Sequence, residues 1–341
     1  MDRELHNRVV VTRFSAMGDV VLLLPVLRAV LSHHPNMEIV LVTRHSFTPF
    51  FQGIPRLQVH ACDFKGRHKG LAGLWRMFLE IWTYRPTHWI DAHDVLRSKI
   101  LRLLARFWRV PVKKIQKDRW AKRQGTRRYG KIRKKLTPTV DRYLACFQQH
   151  GFGPNHLVHS GPFFSIPSRE KSTLPKRIGI APFAQHVAKR WLGYPTLIQH
   201  LIENSPDEIW IFGGGIHEKQ EVDQWNFPTD RVKNTIGQFT LAEEIGWIQS
   251  LDLMIANDSS NLHLATLAGI PTLSIWGATH PDLGFGPWPA QKSEIMQIPV
   301  DQLPCRPCSV FGQKKCYRGD YACLTQISAE HVHQKVKTLL S

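Results

Sequence analysis

The sequence predicts an α/β protein built from two Rossmann-like domains. Three observations carry that expectation. The first is length, since 341 residues are more than one hydrophobic core usually organises and suit two domains. The second is the alternation, in both halves, of apolar runs of strand length with helical runs, as in parallel sheets covered by helices. The third is the stretch Leu253 to Gly277, which forms one βαβ unit. A buried strand (Leu253 to Ala256) leads through the turn Asn257-Asp258-Ser259-Ser260 into a short helix ending at Gly269 and a second strand (Thr272 to Trp276).

In chain order, Arg8 to Phe14 reads as a strand. The turn Ser15-Ala16-Met17-Gly18-Asp19 and a helical run from Val20 to Leu31 follow, with Pro25 marking where the regular helix settles. No G-x-G-x-x-G follows that strand, so the dinucleotide fingerprint of hydride-transfer enzymes is missing. Asp19 stands at a strand-to-helix junction, where a carboxylate is either a cap or a group offered at the rim of a cleft. Strands at Glu38 to Val42, Leu57 to His60 and His88 to Ala92, with helices at Leu71 to Tyr84 and Ser98 to Trp108, complete a first domain over residues 1–165. Gly161 to Pro175, rich in proline and serine, reads as the linker. A second domain over 172–327 contains the strand Arg177 to Ala181, a loop holding Lys189 and Arg190, the helix Tyr194 to Asn204 and the strand Glu208 to Phe212. Gly213-Gly214-Gly215 then allow close backbone approach to a ligand before a helix near Ile216. Thr240-Leu241-Ala242-Glu243 is a capping box, and Ser328 to Leu340 is a terminal helix.

The formal charge is +18, and it is concentrated. Arg97 to Lys135 holds 17 Lys and Arg against the single acid Asp118, while the rest of the chain is nearly balanced. Such a block implies an anionic partner: nucleic acid, a membrane surface or a phosphorylated substrate. Its Lys113 to Lys135 part reads as a flexible loop that orders over an acceptor. No apolar run is long enough to span a membrane, and the charged N-terminus passes into a short strand unlike a signal peptide, so a cytoplasmic protein is expected. Disulfides are then not expected among the six cysteines. The cluster Cys305-x2-Cys308-x7-Cys316-x6-Cys323 is either a four-thiolate metal site or a set of reduced structural thiols.

Ser259 to His263 occupy a helix start directly after a carboxylate. Unpaired N–H groups and a partial positive charge make such a start an anion site, although Asp and Ser are also ordinary caps. No Asp-x-Asp, a pair that often holds a catalytic metal, occurs in the chain.

The segments SAMGDVVLLLPVLRAV, KRW (Lys189 to Trp191), the strand with GGGIHE, and NDSSNLHLATLAGIPTLSIWGATHPDLGFGPW together resemble glycosyltransferase family 9, the ADP-heptose–lipopolysaccharide heptosyltransferases. The resemblance spans most of the chain in order and weakens through the basic segment and the linker. It implies a GT-B architecture: two Rossmann-like domains facing across a central cleft, acceptor on the first and donor on the second, with the final helix (328–341) packing back on the first. It implies inverting, metal-independent transfer of a heptose from a nucleotide diphosphate donor, ADP-heptose, to a lipopolysaccharide inner-core or lipid A acceptor.

By the same resemblance Asp19 is the catalytic base and Lys189 contacts donor phosphate. Asp258 is the donor-sugar carboxylate, and Ser259, Ser260 and His263 form the diphosphate-binding helix start. Glu218 matches the ribose region and Phe239 the residue lying against adenine. Ser260 stands where the family often has Gly, which bears on how closely the backbone approaches the phosphates. The implied partners are the nucleotide sugar, a phosphorylated glycolipid and the anionic inner face of the cytoplasmic membrane, bound peripherally by a monomer. No cofactor, no catalytic metal and no nucleic acid are expected. Two competing readings are a GT-B transferase using another nucleotide sugar or a non-lipid acceptor, and a nucleic-acid-binding protein using the basic block with Trp108, Trp120 and Tyr129.

Overall fold

The parallel pattern is realised twice. In the computed structural model, which describes residues 7–158, 161–168, 175–228 and 230–341, the chain divides into two compact units. One comprises the chain up to Lys117 together with Thr139–Ser165, the other Asp118–Pro138 with Ile166–Ser341. The linker read at Gly161 to Pro175 falls partly outside the described residues.

In the first unit, β1 (Asn7–Thr12), β2 (Met37–Arg44), β3 (Leu57–Cys62), β4 (His88–Asp91) and β5 (Val112–Lys114) pair in parallel in the order β3-β2-β1-β4-β5. Val9, Val10 and Val11 of β1 are inaccessible, as a central strand covered on both faces requires. The register sets Val9 opposite both Ile39 and His88. The helical run after β1 breaks in two, α1 (Met17–Val21) and α2 (Leu24–His33), and the second begins at Leu24-Pro25 because proline tolerates a helix start. Helices α3 (Gly70–Trp82) and α4 (Leu96–Phe107) pack on each other.

The segment α5 (Arg119–Gly125) belongs to the second unit, whereas α6 (Thr139–Gln148) returns to the first and packs on α2. The basic block is therefore not one segment of the first domain. Residues 118–138 fold onto the second unit, where Lys131 Nζ donates to the Pro307 carbonyl at 2.7 Å and Leu136 N to Asp282 O at 2.8 Å. Lys122 also lies over the Phe285 ring at 4.2 Å.

In the second unit, β6 (Arg177–Ala181), β7 (Glu208–Ile211), β8 (Val232–Asn234), β9 (Leu253–Asn257), β10 (Thr272–Ile275) and β11 (Ser293–Met296) pair in parallel in the order β11-β10-β9-β6-β7-β8. The connecting helices are α7 (Tyr194–Asn204), α8 (Ile216–Asp223), α9 (Leu241–Ile248) and α10 (Ser260–Leu267). The capping box opens α9, with Thr240 N donating to Glu243 Oε2 at 2.9 Å. Gly269, at φ +80°, supplies the left-handed residue that ends α10. After β11 the chain has no helix or strand until α11 (Ala322–Thr325), and α12 (Ala329–Leu340) closes it.

The last helix is grouped with the second unit. Val332 and Val336 enter that unit's core with Leu197 and Leu201, and Lys176 Nζ bonds to the Leu340 carbonyl. Its apolar face finds its partner in α7.

Each sheet reverses direction next to its first strand. The chain runs β1-β2-β3 to one side before crossing to β4-β5, and β6-β7-β8 before crossing to β9-β10-β11. Loops after β1 and β4, and after β6 and β9, thus flank crevices at the carboxyl ends of the strands, where open parallel sheets bind ligands.

Candidate active site

In the first unit the loop leaving β1 carries Arg13 and leads to Asp19 in α1. Arg13 Nη2 lies 2.5 Å from Asp19 Oδ2, with the carboxylate 21% exposed. Arg13 Nη1 donates to Ala92 O, after β4, at 2.9 Å, and the guanidinium sits 5.9 Å from the Tyr143 ring centroid. The Tyr143 hydroxyl in turn donates to the Asp19 carbonyl at 3.0 Å. Ala16, not Asp19, is the N-cap, so the capping reading of Asp19 is not realised. The carboxylate is instead oriented by a cation that bridges the switch point, and among the described residues Oδ1 has no partner. His93, also after β4, accepts from Phe14 N on Nδ1 at 3.3 Å. Burial, with Arg13, Lys117 and Arg44 nearby, pushes its pKa down to about 3, so the ring is neutral near pH 7. Nδ1 being the acceptor, the proton sits on Nε2.

In the second unit Lys189 ends a single 3₁₀ turn after β6, and its Nζ lies 2.9 Å from Asp258 Oδ2 just beyond β9. The side chains are 14% and 9% exposed. The Thr279 hydroxyl, after β10, donates to the same Oδ2 at 2.8 Å. Three loops on neighbouring strands thus converge on one carboxylate oxygen. Asn257, with no exposed surface, locks two of them together. Its Nδ2 donates to Pro182 O at 2.7 Å, and its Oδ1 accepts from Trp191 N at 3.2 Å.

Ser259 is the N-cap of α10 by backbone but makes no side-chain cap bond, and its Oγ is buried without a partner. The first-turn N–H groups of α10 therefore remain open to an anion. Ser260 opens the helix and His263 is buried in its first turn. Lys189, Asp258, Ser259, Ser260 and His263 are brought together as the sequence suggested. Glu218 lies in the first turn of α8, after β7, and Phe239 just before the N-cap of α9, after β8. Glu218 Oε2 accepts from Gly214 N at 2.7 Å and fixes the glycine turn, while the half-buried Phe239 ring lies 5.8 Å from that of Trp247. Glu244, which accepts from Asn261 Nδ2 at 3.5 Å beside the helix start, is pushed up to about 7 by burial.

Sequence reasoning missed Arg13, Tyr143, Asn257 and Thr279. Arg13 and Asn257 carried a signal, each being a polar residue at the end of a buried central strand. Tyr143 carried none, and Thr279 stood in the sequence only as the last residue of WGAT in the matched segment, with no role attached, because both roles depend on which loops the sheet brings together. Among the described residues, ligating side chains gather within 4.8 Å only at His60, His68 and Glu80 and at His200, Glu330 and His333. Neither group includes a predicted site residue. In the first, Glu80 also binds Arg67 at 2.5 Å, and His68 Nδ1 accepts from Asp63 N at 3.0 Å, leaving its proton on the Nε2 that faces Glu80.

A family model, glycosyltransferase family 9 (heptosyltransferase), matches residues 82–316, about two-thirds of the chain. The chain belongs to glycosyltransferase family 9. Two curated relatives, both Lipooligosaccharide heptosyltransferase 2 from strains of Campylobacter jejuni subsp. jejuni, are 30% identical over 169 and 171 residues, 48% of this chain. The chain spans about half the length of these relatives, 51%. Among solved structures, a family 9 glycosyl transferase from Veillonella parvula DSM 2008 aligns with TM-score 0.74 at 20% identity, covering 100% of this chain and 98% of that one. The E. coli heptosyltransferase WaaC with ADP aligns with TM-score 0.70 at 17% identity, covering 97% and 99%. These likenesses bear out the two-domain α/β fold of the GT-B class. For this family 9 chain, the matched segment includes Lys189, Glu218, Phe239 and Asp258 to His263. Asp19 precedes it, so its assignment rests on the SAMGD turn and on the geometry around Arg13.

Proposed function

We propose that this chain is an inverting, metal-independent heptosyltransferase that moves heptose from ADP-heptose to the inner core or lipid A of a lipopolysaccharide. The observation that carries the reading is the convergence of Lys189, Asp258 and Thr279 at the uncapped start of α10. Family membership, the heptosyltransferase names of the curated relatives and the ADP in the WaaC title support the same donor class.

Inverting transfer needs a base at the acceptor hydroxyl and stabilisation of the departing diphosphate. Asp19, turned by Arg13, offers its unpaired Oδ1 to the hydroxyl proton as the anomeric carbon bond forms. The Lys189 ammonium uses one of its three donors on Asp258, leaving two for phosphate oxygens, and the α10 N–H groups add aligned donors. Asp258 Oδ1, without a partner among the described residues, accepts from a donor-sugar hydroxyl. Glu218 faces the ribose and Phe239 the base. No cofactor takes part.

Helices α3 and α4 supply a surface suited to peripheral docking on an anionic bilayer. Leu71, Trp75 and Leu79 on α3, and Leu96, Leu103 and Phe107 on α4, are exposed at helical spacing, Leu103 to 68% and Phe107 to 79%. Exposed Arg97, Lys99 and Arg106 lie among them. An apolar stripe with basic residues is the pattern of interfacial binding, and each cation near an anionic surface adds about 1 kcal/mol. No helix among the described residues is long and apolar enough to cross a membrane.

A thermal-shift panel of nucleotides and nucleotide sugars, followed by transfer to purified acceptor glycolipid, tests the reading. ADP-heptose and ADP are expected to stabilise the protein in a concentration-dependent way, and UDP much less. Stabilisation by another nucleotide sugar alone would instead identify a different GT-B transferase.

A further inference from the structure

Away from the donor residues, the second unit carries a group of ligand-type side chains that the transfer reaction does not use. Helices α7 and α12 pack on each other, with Leu197, Leu201, Val332 and Val336 in the shared core. Next to these apolar positions in sequence stand His200 on α7 and His333 on α12, with Glu330 one turn before His333. The i, i+3 spacing puts Glu330 and His333 on one face of α12. One nitrogen from each histidine and one Glu330 oxygen all lie within 4.8 Å of one another.

Three observations set this group apart from an ordinary His–Glu pair. First, His333 is only 3% exposed, yet its ring makes no hydrogen bond among the described residues. Buried polar side chains are normally bonded. Its ring instead meets that of His200 edge-on, with centroids 5.7 Å apart. Second, Glu330 is oriented: Gln334 Nε2 donates to Oε1 at 3.0 Å, while Oε2 lies 3.3 Å from His200 Nδ1. Third, among the described residues no arginine or lysine pairs with Glu330, whereas Arg67 occupies Glu80 in the other histidine group. Lys335 is drawn off by Glu294 at 3.2 Å, and Lys337, one turn after His333, is an opposing charge that Glu330 offsets.

We propose that His200, Glu330 and His333 form a structural site for one divalent transition-metal ion of the imidazole-preferring class, with zinc as its occupant. Two imidazoles, one carboxylate and a water make a four-coordinate shell that suits zinc, and two nitrogen ligands disfavour magnesium and calcium, which take oxygen. On binding, the His200 ring takes the tautomer with its proton on Nε2. The Nδ1 lone pair then ligates, and Glu330 Oε2 turns from His200 to the ion. Gln334 remains as the outer hydrogen bond that holds the carboxylate in place. The ion ties α12 to α7 beside their apolar contact, at the end of the chain, where an element stays ordered only if docked. The site shares no residue with the Lys189 and Asp258 constellation, so the transfer step does not pass through it.

Hydrogen exchange of the full chain, read on the peptides of α12 with and without zinc chloride, tests the site apart from any transfer activity. Because the readout is local, zinc held elsewhere in the molecule does not imitate it. Saturating zinc should slow exchange of the α12 amides in the native protein by at least about 10-fold, and chelator should reverse the effect. A change at buried His333 can unfold α12, so the partly exposed His200 and Glu330 carry the comparison, each variant being measured against its own metal-free rate. His200→Ala and Glu330→Gln should lose most of the zinc effect, and His60→Ala should keep it. Exchange of α12 that is indifferent to zinc in the native protein, or slowed equally in the native protein and in both site variants, would overturn the proposal.

Discussion

Replacing Lys189 by Met separates the two roles that its ion pair combines. In the folded protein its ammonium lies 2.9 Å from a carboxylate that is only 9% exposed, and Thr279 is the other partner of that oxygen. Removing one member of a buried pair typically costs about 3–5 kcal/mol, because the remaining charge stays buried. Here the Thr279 hydroxyl and the 14% exposure of Lys189 lower the expectation to about 2–3 kcal/mol. On the proposed function the loss in turnover has a different origin, the missing donor to a leaving diphosphate, and is expected to be about 100- to 1,000-fold in kcat. The double variant Lys189→Met/Asp258→Asn distinguishes them: it should regain most of the stability, since no charge is left unpaired, yet none of the turnover. Denaturant unfolding and steady-state transfer from ADP-heptose are the two measurements. A single variant within about 10-fold of native kcat, or a double variant that recovers turnover along with stability, would refute the assignment of Lys189 to the diphosphate.

Three further outcomes follow from the same geometry. Asp19→Asn keeps the side-chain shape and should leave ADP-induced stabilisation intact while lowering kcat by at least about 100-fold, whereas Arg13→Gln should weaken turnover less and shift its pH profile. Glu244, held up to about 7 from 4.5 in the unfolded chain, adds stability that is complete below about pH 4.5 and lost as pH rises through about 7. Urea midpoints across that window should fall in the native protein, by at most about 3 kcal/mol of stability, and fall less in Glu244→Gln. Gly312→Ala adds a methyl at φ +83° against the Lys189 stem, so ADP affinity should drop with the fold retained, as read by titration calorimetry and circular dichroism.

What could be read from the chain followed the strength of local signals. The unit from β9 to β10 was legible because an unbroken apolar run, an Asp-Ser turn and a glycine at the helix end agree, and the structure places them within a residue or two of the reading. The strands β5, β8 and β11 were not, being three or four residues long and holding Lys113, Lys114, Lys233 and Glu294. Edge strands need little apolar pattern, and charge at an edge protects it from pairing with another chain. The folding of residues 118–138 onto the second unit was likewise invisible, since Lys131 and Arg133 bond to backbone carbonyls, which every sequence possesses. At the site, Asp19, Lys189 and Asp258 came from a family resemblance. The contacts of Arg13 with Ala92 O and of Thr279 with Asp258 needed the sheet order.

The two units solve one problem in parallel ways. Each sets a carboxylate beside its switch point and holds only one of its oxygens: Asp19 Oδ2 by Arg13, Asp258 Oδ2 by Lys189 and Thr279. In both, the cation comes from the loop after the strand at which the sheet reverses, and in both Oδ1 has no partner among the described residues. A carboxylate gripped through one oxygen has a fixed direction but keeps an acceptor for a hydroxyl. The difference lies in the third group. Arg13 is also tied to Ala92 O, so little of its charge is directed elsewhere, whereas Lys189 is a rotatable ammonium with two donors remaining. The first arrangement suits accepting a proton from an alcohol and the second suits gripping a diphosphate while a sugar hydroxyl is held beside it. Exchanging the cations should therefore be more damaging than their equal charge suggests. Lys189→Arg keeps the ion pair with Asp258 but presents a rigid planar fork where two free donors are required, and it should preserve stability to within about 1 kcal/mol while lowering kcat by at least about 10-fold. Turnover equal to the native enzyme's would mean that charge alone, and not the reach of the ammonium, is what the leaving group needs.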